Sequence, residues 1–180
     1  MISRKELLNQ IDISVTIERL CQQLIEEHDD FSETVIVGIQ PRGILLSSRI
    51  IDRLATIDNN IKISSGNIDI AFYRDDLRRR KIPVIPEVMD MNLTIEGKNV
   101  VLIDDVLYTG RSVRAAIDAL MTFGRPNSVE LLVLINRRFS RHLPIEANYI
   151  GKTINTLESE KVIVEWREIH KTDRVLIKSE

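Results

Sequence analysis

Two adjacent carboxylates, Asp104 and Asp105, stand shortly before a run of hydroxyl, glycine and basic residues at 109–112. An ionised carboxylate only accepts hydrogen bonds, and neighbouring ribose hydroxyls offer donors at a spacing that one or two carboxylates can satisfy. The later run presents backbone N–H groups and hydroxyls at the start of a helix, where phosphates bind readily. Gly110 lets the backbone approach such an anion closely. The pattern therefore predicts a site for a phosphorylated sugar.

These residues stand between a predicted strand and a predicted helix. Residues 100–103 form a short β-branched run, which is typical of a parallel strand buried on both faces. The carboxyl end of such a strand would deliver both carboxylates to the sheet edge where ligands bind. A helical pattern follows and ends before Gly124 and Pro126. A single strand-end Asp could equally cap the next helix, but the acidic pair with the residues after it favours a ligand site.

A second strand–loop–helix pattern lies earlier in the chain. Residues 34–39 form a β-branched run, and a helical period resumes at 44–54. The loop between them holds Gln40, Pro41, Arg42 and Gly43. It is either an ordinary turn with a solvated Arg42 or a second anion-binding loop, and its X–Pro bond is compatible with a cis peptide.

A long basic segment follows the next predicted strand. Residues 67–72 alternate as a strand does, whereas residues 73–94 have no sustained period and carry four consecutive basic residues at 78–81. A connection of this length is unusual unless it is a lid or disordered. Taken singly, these charges are solvated. Taken together, they suit a flexible loop that closes over a highly charged substrate and excludes water.

The remaining patterns complete an α/β fold. Residues 12–28 form an amphipathic helix whose buried stripe includes Cys21, which is therefore predicted to be core and not a nucleophile. Strand patterns at 129–135, 161–166 and 174–178 alternate with polar or helical segments, which favours a mostly parallel central sheet flanked by helices. The three histidines have no companions at ligand spacing, so no zinc site is predicted.

Composition limits the class of protein. The chain has 180 residues, of which 43% are hydrophobic and 29% charged, as expected for one globular domain. The formal net charge of −2 gives no indication of a nucleic-acid partner. The single cysteine rules out an internal disulfide. Because we find neither a transmembrane run nor the apolar core of a signal peptide, we expect a cytoplasmic protein with no membrane partner.

Residues 100–112 resemble the phosphoribosyl-pyrophosphate (PRPP) motif of type I phosphoribosyltransferases. The resemblance implies that fold, with a core at about 10–150, a flexible loop at about 73–94, and a small hood built from the amino-terminal residues and about 150–180. It implies that Asp105, Asp104 and Arg42 are catalytic, and that Mg²⁺ is held by the two aspartates directly or indirectly. The PRPP-binding residues would be Gln40, Pro41, Arg42, Gly43, Asp104, Asp105, Val106, Leu107, Tyr108, Thr109, Gly110, Arg111 and Ser112.

The segments GIQPRGI, DIAFYRDDL, FGRP, LPIEANYIGK and SEKV extend the resemblance along nearly the whole chain. It is similar to the bifunctional pyrimidine-operon regulators with uracil phosphoribosyltransferase activity. That family forms UMP from uracil and PRPP with Mg²⁺, many members bind messenger RNA when UMP is bound, and dimers or tetramers are typical. The resemblance places flexible-loop contacts to pyrophosphate at Tyr73, Arg74, Arg78 and Arg79, base contacts at Val162 and Ile163, and RNA contacts at Arg137, Arg138, Arg141 and Lys152.

Three departures from the family pattern matter: the first two bear on the regulatory role, and the third bears on whether that position contacts metal or pyrophosphate. Six acidic residues lie between positions 18 and 33, Glu146 stands where a basic residue is usual, and Asn136 stands where an aspartate is common. Phosphate binding by RNA-binding proteins depends on clustered Lys and Arg. Three hypotheses are therefore retained: a uracil phosphoribosyltransferase, a purine-base transferase on the same scaffold, and an RNA-binding attenuator with vestigial catalysis.

Overall fold

The computed structural model describes residues 4–75 and 94–179. Strands and helices alternate through the first half of the described chain, and strands dominate the rest. In chain order the elements are β1 (Arg4–Leu8), α1 (Gln10–His28), β2 (Thr34–Ile39), α2 (Gly43–Ile57), β3 (Ser64–Ile68), β4 (Asn99–Leu107), α3 (Arg111–Leu120), β5 (Ser128–Arg138), β6 (Tyr149–Asn155), β7 (Glu160–Glu165), α4 (Arg167–His170) and β8 (Arg174–Ser179).

The strands form two sheets. Five of them make a wholly parallel sheet in the spatial order β3-β2-β4-β5-β6, so the strand with the acidic pair lies at its centre. β1, β8 and β7 form a smaller antiparallel sheet, which together with α4 we call the hood. The predicted α/β fold with a parallel central sheet and a small hood is confirmed.

The central strand β4 is buried on both faces. Val100 and Leu102 belong to the apolar cluster that includes α3, whereas Val101 and Ile103 belong to the cluster that includes α1 and α2. All four side chains are fully buried. Because successive residues of a strand point to opposite faces, an unbroken apolar run is what a sheet covered by helices on both sides requires.

The first helix begins with a reciprocal cap. The Asn9 side chain accepts a hydrogen bond from the Asp12 N–H, and the Asp12 side chain accepts one from the Asn9 N–H. This capping box satisfies two N–H groups that the helix leaves without partners. Further along α1, Cys21 is fully buried, and burial raises the pKa of its thiol to about 12. The thiol is therefore protonated at neutral pH, as a core residue would be.

The hood packs on the face of the central sheet that carries α1 and α2. Val164, Trp166 and Val175 of the hood belong to the same buried cluster as Leu46 and Ile50 of α2. Contacts among these apolar side chains hold the hood against the core. Within the described ranges no helix is long and apolar enough to cross a membrane.

Several predicted boundaries are wrong. The third strand is Ser64–Ile68, not 67–72, because the chain turns after Ile68, where the Asp69 side chain accepts a hydrogen bond from the Ala71 N–H. β4 continues beyond residue 103 to Leu107, and β6 had not been identified. Residues 76–93, with Arg78 and Arg79 of the predicted flexible loop, lie outside the described residues.

Candidate functional site

A crevice opens where the central strand outlasts one of its neighbours. β4 pairs with β2 only as far as Ile103, but it pairs with β5 through Leu107. Beyond Ile103 the side facing β2 is therefore free for side chains and ligands. The strand order changes direction here, since β3 lies on one side of β2 and β4 on the other. Open parallel sheets bind ligands at such switch points, outside the carboxyl ends of their strands.

The acidic pair lies in this crevice and is buried. Asp104 and Asp105 are 8% and 4% exposed, and Asp104 Oδ1 accepts a 2.9 Å hydrogen bond from the Asp105 N–H. Burial, reinforced by the charge of Asp105, raises the pKa of Asp104 well above its ordinary value. Burial also raises the pKa of Asp105, although Arg42 acts against that shift. The ligand-free pocket thus disfavours two carboxylate charges, which hydroxyl donors or a cation would stabilise.

The loop that joins β2 to α2 forms one wall of the crevice. Its Gln40–Pro41 peptide is cis. Arg42 Nη1 lies 3.8 Å from Asp105 Oδ2, and the Arg42 side chain is 63% exposed, so it can still turn toward a ligand. Gly43 begins α2 against the backbone of β4. A Cβ at this position would lie 2.1 Å from the carbonyl oxygen of Ile103, so only glycine permits this approach.

The loop that joins β4 to α3 forms the opposite wall. Gly110 is the N-cap of α3 and has φ of 89°, in the left-handed region that glycine adopts without steric cost. Since glycine has no side-chain oxygen, α3 begins without a side-chain cap, and its positive end faces outward. Arg74 Nη1 donates to Ser112 Oγ at 3.3 Å. The backbone N–H groups at the start of α3 therefore have no side-chain cap, which is the arrangement that the predicted phosphate site requires.

The two walls and the hood enclose a cavity of about 560 Å³. Two other cavities of the described chain are larger, about 640 and 770 Å³, but neither is lined by the acidic pair. This cavity is therefore identified as the candidate site by its lining residues and not by its volume. The cavity is lined by Ile39, Gln40, Pro41, Arg42, Ile70, Arg74, Asp104, Asp105, Val106, Tyr108, Ser112, Arg137, Lys161, Val162 and Ile163.

Most of the predicted ligand contacts line this cavity or border it. Val162 and Ile163, predicted to contact the base, are half-buried on β7 and line the same cavity as the acidic pair. Of the predicted flexible-loop residues, Arg74 lines the cavity, and Tyr73 presents its carbonyl oxygen to Arg114 of α3. Arg111 forms an ion pair with Asp75.

Arg137 had been predicted to contact RNA, and its burial is at odds with that role. It is 4% exposed, and its guanidinium carbon lies 3.9 Å from the centroid of the Tyr108 ring. Its Nε donates to Thr156 Oγ1 at 2.8 Å, and Nη2 donates to the Leu157 carbonyl at 3.0 Å. The structure places Arg137 at the cavity, where it connects Tyr108, in the loop between β4 and α3, to residues 156–157 after β6. Sequence reasoning missed this because it counted charge without burial.

The other residues predicted to contact RNA differ in their exposure. Arg141 is half-buried and donates to the Tyr108 carbonyl and, at 2.7 Å, to Asn136 Oδ1. Asn136 is therefore connected to Tyr108, in the loop between β4 and α3, through Arg141. Arg138 and Lys152 are exposed. Lys161, which lines the cavity, had not been predicted, although SEKV contains it.

The donor set at the site suits a hard cation that arrives with its ligand. No group of three or more acidic, histidine or cysteine side chains in the described parts of the chain could hold a metal alone. Asp104 and Asp105 supply two carboxylates, and Mg²⁺ is usually bound by one or two carboxylates together with substrate phosphates and water. The residues therefore fit Mg²⁺ bound jointly with a diphosphate.

Comparison with known proteins identifies the class. The model of the phosphoribosyl transferase domain matches residues 3–168, and the chain belongs to this family. Among curated relatives, it is 41% identical over 179 residues to "Bifunctional protein PyrR" of Bacillus subtilis (strain 168), covering 98% of both chains. It is 40% identical over 174 residues to the protein of that name from Enterococcus faecalis (strain ATCC 47077 / OG1RF), covering 97% of this chain and 96% of the relative.

Solved structures show the same fold. A hypoxanthine phosphoribosyltransferase from Staphylococcus aureus superposes with a TM-score of 0.72 at 25% identity, covering 98% of this chain and 92% of that one. A hypoxanthine-guanine phosphoribosyltransferase from Bacillus anthracis gives a TM-score of 0.74 at 15% identity over the whole of both chains. The predicted membership of the type I family is confirmed, and the relatives with the higher identity are the pyrimidine regulators.

Proposed function

We propose that the protein transfers the phosphoribosyl group of PRPP to uracil, forming UMP and pyrophosphate. The main supporting observation is the buried pair Asp104 and Asp105. The pair lies in a cavity lined by the β2–α2 loop, the β4–α3 loop and hood strand β7. A phosphorylated ribose matches the loops and the carboxylates, and the hood strand supplies a separate surface for the base.

In this proposal each wall binds one part of PRPP. Asp104 and Asp105 accept hydrogen bonds from the ribose 2′- and 3′-hydroxyls, and residues 108–112 surround the 5′-phosphate at the start of α3. Residues 40–43 bind the pyrophosphate through backbone N–H groups and Arg42. Mg²⁺, held by the aspartates together with the diphosphate, would neutralise charge on the leaving group.

The reaction is a displacement at C1 of the ribose. The bond from C1 to the pyrophosphate oxygen breaks, a uracil ring nitrogen bonds to C1, and the ring nitrogen loses its proton. Positive charge grows on the ribose while negative charge grows on pyrophosphate. The aspartates stabilise the first and Arg42 the second, so the protein contributes mainly position and electrostatics.

Uracil is favoured over a purine base by the relatives' names. "Pyrimidine operon regulatory protein" of Lactococcus lactis subsp. lactis (strain IL1403) is 38% identical over 179 residues and is covered to 99%. The purine enzymes share the fold at 15–25% identity. Val162 and Ile163, on the hood side of the cavity, would contact the base through their backbone groups.

A base panel tests the proposal. Pyrophosphate release from PRPP is measured with uracil, cytosine, hypoxanthine, guanine and adenine at equal concentrations in the presence of Mg²⁺. We expect release with uracil alone. Release with hypoxanthine or guanine and not with uracil would replace this proposal with the purine alternative.

Replacing Arg137 with alanine is expected to raise KM for uracil and lower kcat. The change removes a guanidinium that stacks on Tyr108 and fastens residues 156–157 beside the cavity. Hydrogen bonds from a charged group are worth about 1.5–3 kcal/mol each, so we expect kcat/KM to fall about 10–100-fold. Steady-state kinetics of Arg125→Ala, an exposed arginine far from the cavity, provide the control. Wild-type kinetics for Arg137→Ala would contradict the placement of Arg137 at the site.

We also propose, as a second function, UMP-dependent binding of messenger RNA. It is supported by the regulatory names of the relatives, with Arg138 and Lys152 as the exposed cations of the predicted set. Binding to a pyrimidine-operon leader RNA is measured at two salt concentrations, with and without UMP. A UMP-dependent affinity that falls steeply with salt supports the proposal. Unchanged affinity in the double variant Arg138→Ala, Lys152→Ala would remove these two residues from it.

A further inference from the structure

A cluster of ion pairs joins helix α2 to the hood. The Arg49 side chain is 18% exposed. Its Nη1 and Nη2 donate to the two carboxylate oxygens of Asp173 at 3.1 and 2.8 Å, and Nη2 also donates to Glu168 at 2.8 Å. The guanidinium carbon lies 4.6 Å from the centroid of the Trp166 ring. We call Arg49, Trp166, Glu168 and Asp173 the hood clasp.

Asp173 is the centre of the clasp. It is 3% exposed and also accepts hydrogen bonds from the Arg167 N–H and Nε, at 2.8 and 2.6 Å. Burial opposes ionisation of this carboxyl, but hydrogen bonds from Arg49 and Arg167 hold its pKa below the ordinary value of 3.8. Asp173 is therefore charged at neutral pH, and the position of the segment between β7 and β8 is fixed relative to α2.

The two sides of the clasp follow closely in the chain after two walls of the cavity. α2 begins at Gly43, the last residue of the loop proposed to bind pyrophosphate, and Arg49 follows about 9 Å along the same helix. On the other side, Ile163 of β7 lines the cavity, and Trp166 follows about 10 Å further along the chain.

Attachment of the hood does not depend on these ion pairs alone. Val164, Trp166 and Val175 also belong to the same buried apolar cluster as Leu46 and Ile50. A buried ion pair is often no more stabilising than apolar residues of the same volume. The bidentate interaction of the planar Arg49 guanidinium with Asp173 adds a defined relative orientation of the two side chains, because both donors must meet both acceptors.

We propose that the hood clasp sets the spacing between residues 40–43 and residues 161–163, which makes Arg49 and Asp173 positioning residues for the transfer between PRPP and the base. The proposal rests on the proposed function, because these two segments are taken to hold pyrophosphate and base. Neither clasp residue lines the site cavity, so their effect on the reaction would be indirect.

Arg49→Ala with Arg53→Ala as its control tests the proposal. Arg53 lies one turn further along α2 and is ion-paired too, but with Glu18 of α1 and not with the hood. A displacement of about 1 Å between reacting groups costs about 100-fold. We therefore expect Arg49→Ala to reduce kcat/KM for uracil about 10–100-fold with KM for PRPP within about twofold of wild type. Arg53→Ala should leave both constants unchanged.

A purely structural role would give a different result. Arg49→Ala would then lower the melting temperature while kcat and KM for uracil stayed at their wild-type values, or it would raise KM for PRPP as strongly as it lowered kcat/KM for uracil; either result would overturn the proposal. If Arg49→Ala does not fold, Arg49→Lys replaces it: lysine keeps a cation beside Asp173 but lacks the planar fork. The same fall in kcat/KM for uracil with little change in KM for PRPP is expected, and wild-type kinetics in Arg49→Lys would overturn the proposal.

Hydrogen exchange separates this proposal from the proposed function. We expect backbone amides of β7 and of residues 40–43 to exchange faster in Arg49→Ala than in Arg53→Ala. Faster exchange confined to residues 166–173 would overturn the clasp. Should the wild-type protein form no UMP from uracil, the proposed function fails, and the exchange measurement alone decides whether the clasp couples the two walls.

Discussion

Replacing Asp105 with asparagine is expected to reduce UMP formation by about 10²–10³-fold while the protein stays folded. Asparagine has nearly the same shape but lacks the charge that is proposed to stabilise the positive ribose in the transition state. Initial rates of pyrophosphate release with uracil and PRPP measure the loss. Asp118→Asn is the control, because Asp118 lies on the exposed side of α3 and pairs with Arg114 outside the cavity. A turnover close to wild type would contradict the assignment of Asp105.

The same change is expected to stabilise the ligand-free protein at neutral pH. Burial raises the pKa of Asp105 above its ordinary value of 3.8, so the folded protein binds this proton more tightly than the unfolded chain does. The contribution of Asp105 to the free energy of unfolding of the wild type should consequently fall as pH rises from about 4 through the folded-state pKa. Asparagine carries no titrating proton, and its neutrality also eases ionisation of Asp104.

Urea unfolding of both proteins at several pH values measures this effect. The difference in the free energy of unfolding, Asp105→Asn minus wild type, should increase from acid to neutral pH, because contributions from distant groups cancel in the difference. A difference that is independent of pH would show that the pKa of Asp105 is not raised in the folded protein.

Replacing Gly43 with alanine is expected to weaken both PRPP binding and folding. The added Cβ would lie 2.1 Å from the Ile103 carbonyl oxygen and 3.2 Å from Asp104 Cα, and both of these are backbone atoms that no side-chain rotation can move away. The loop of residues 40–43 must therefore shift away from β4. Overpacking of this kind costs about 1–3 kcal/mol of stability. The shift also moves the loop proposed to bind pyrophosphate away from the acidic pair.

Calorimetric titration with PRPP and urea unfolding test this prediction together. Leu54→Ala is the matched control: Leu54 is fully buried near the other end of α2, and truncation of a core leucine costs about 2–5 kcal/mol. Leu54→Ala should lose stability and keep its PRPP affinity, whereas Gly43→Ala should lose both. If Gly43→Ala retained full PRPP affinity, loop 40–43 would not be the pyrophosphate site.

The parts of the site that adjoin each other in sequence were predictable. Residues 100–112 form strand, acidic pair, glycine turn and helix, and local rules are sufficient for such a unit: β-branched residues form the strand, and a left-handed glycine precedes the helix. The loop at 40–43 was found by the same pattern. Its contact with Asp105 through Arg42 was not predicted, although parallel strands end at one edge of the sheet.

The burial of individual charged side chains and the long-range pairing of elements were not predictable. Arg137 has the same charge as Arg138, and only the tertiary structure shows that Arg137 is buried on Tyr108 while Arg138 is exposed. The third strand was misplaced because alternation in residues 67–72 resembles a strand locally, whereas pairing with β2 begins at Ser64.

The family, the α/β fold and the order of the predicted ligand-binding loops could be inferred from the sequence, because motifs and strand–loop–helix units are patterns of neighbouring residues. The tertiary structure was needed to show that the aspartates lie inside a strand that outlasts its neighbour, that Arg137 lines the cavity, and that Arg49 contacts Asp173 across 124 positions. The contact between Arg49 and Asp173 depends on how the hood packs on α1 and α2. That packing is set by the whole apolar cluster and not by any local pattern.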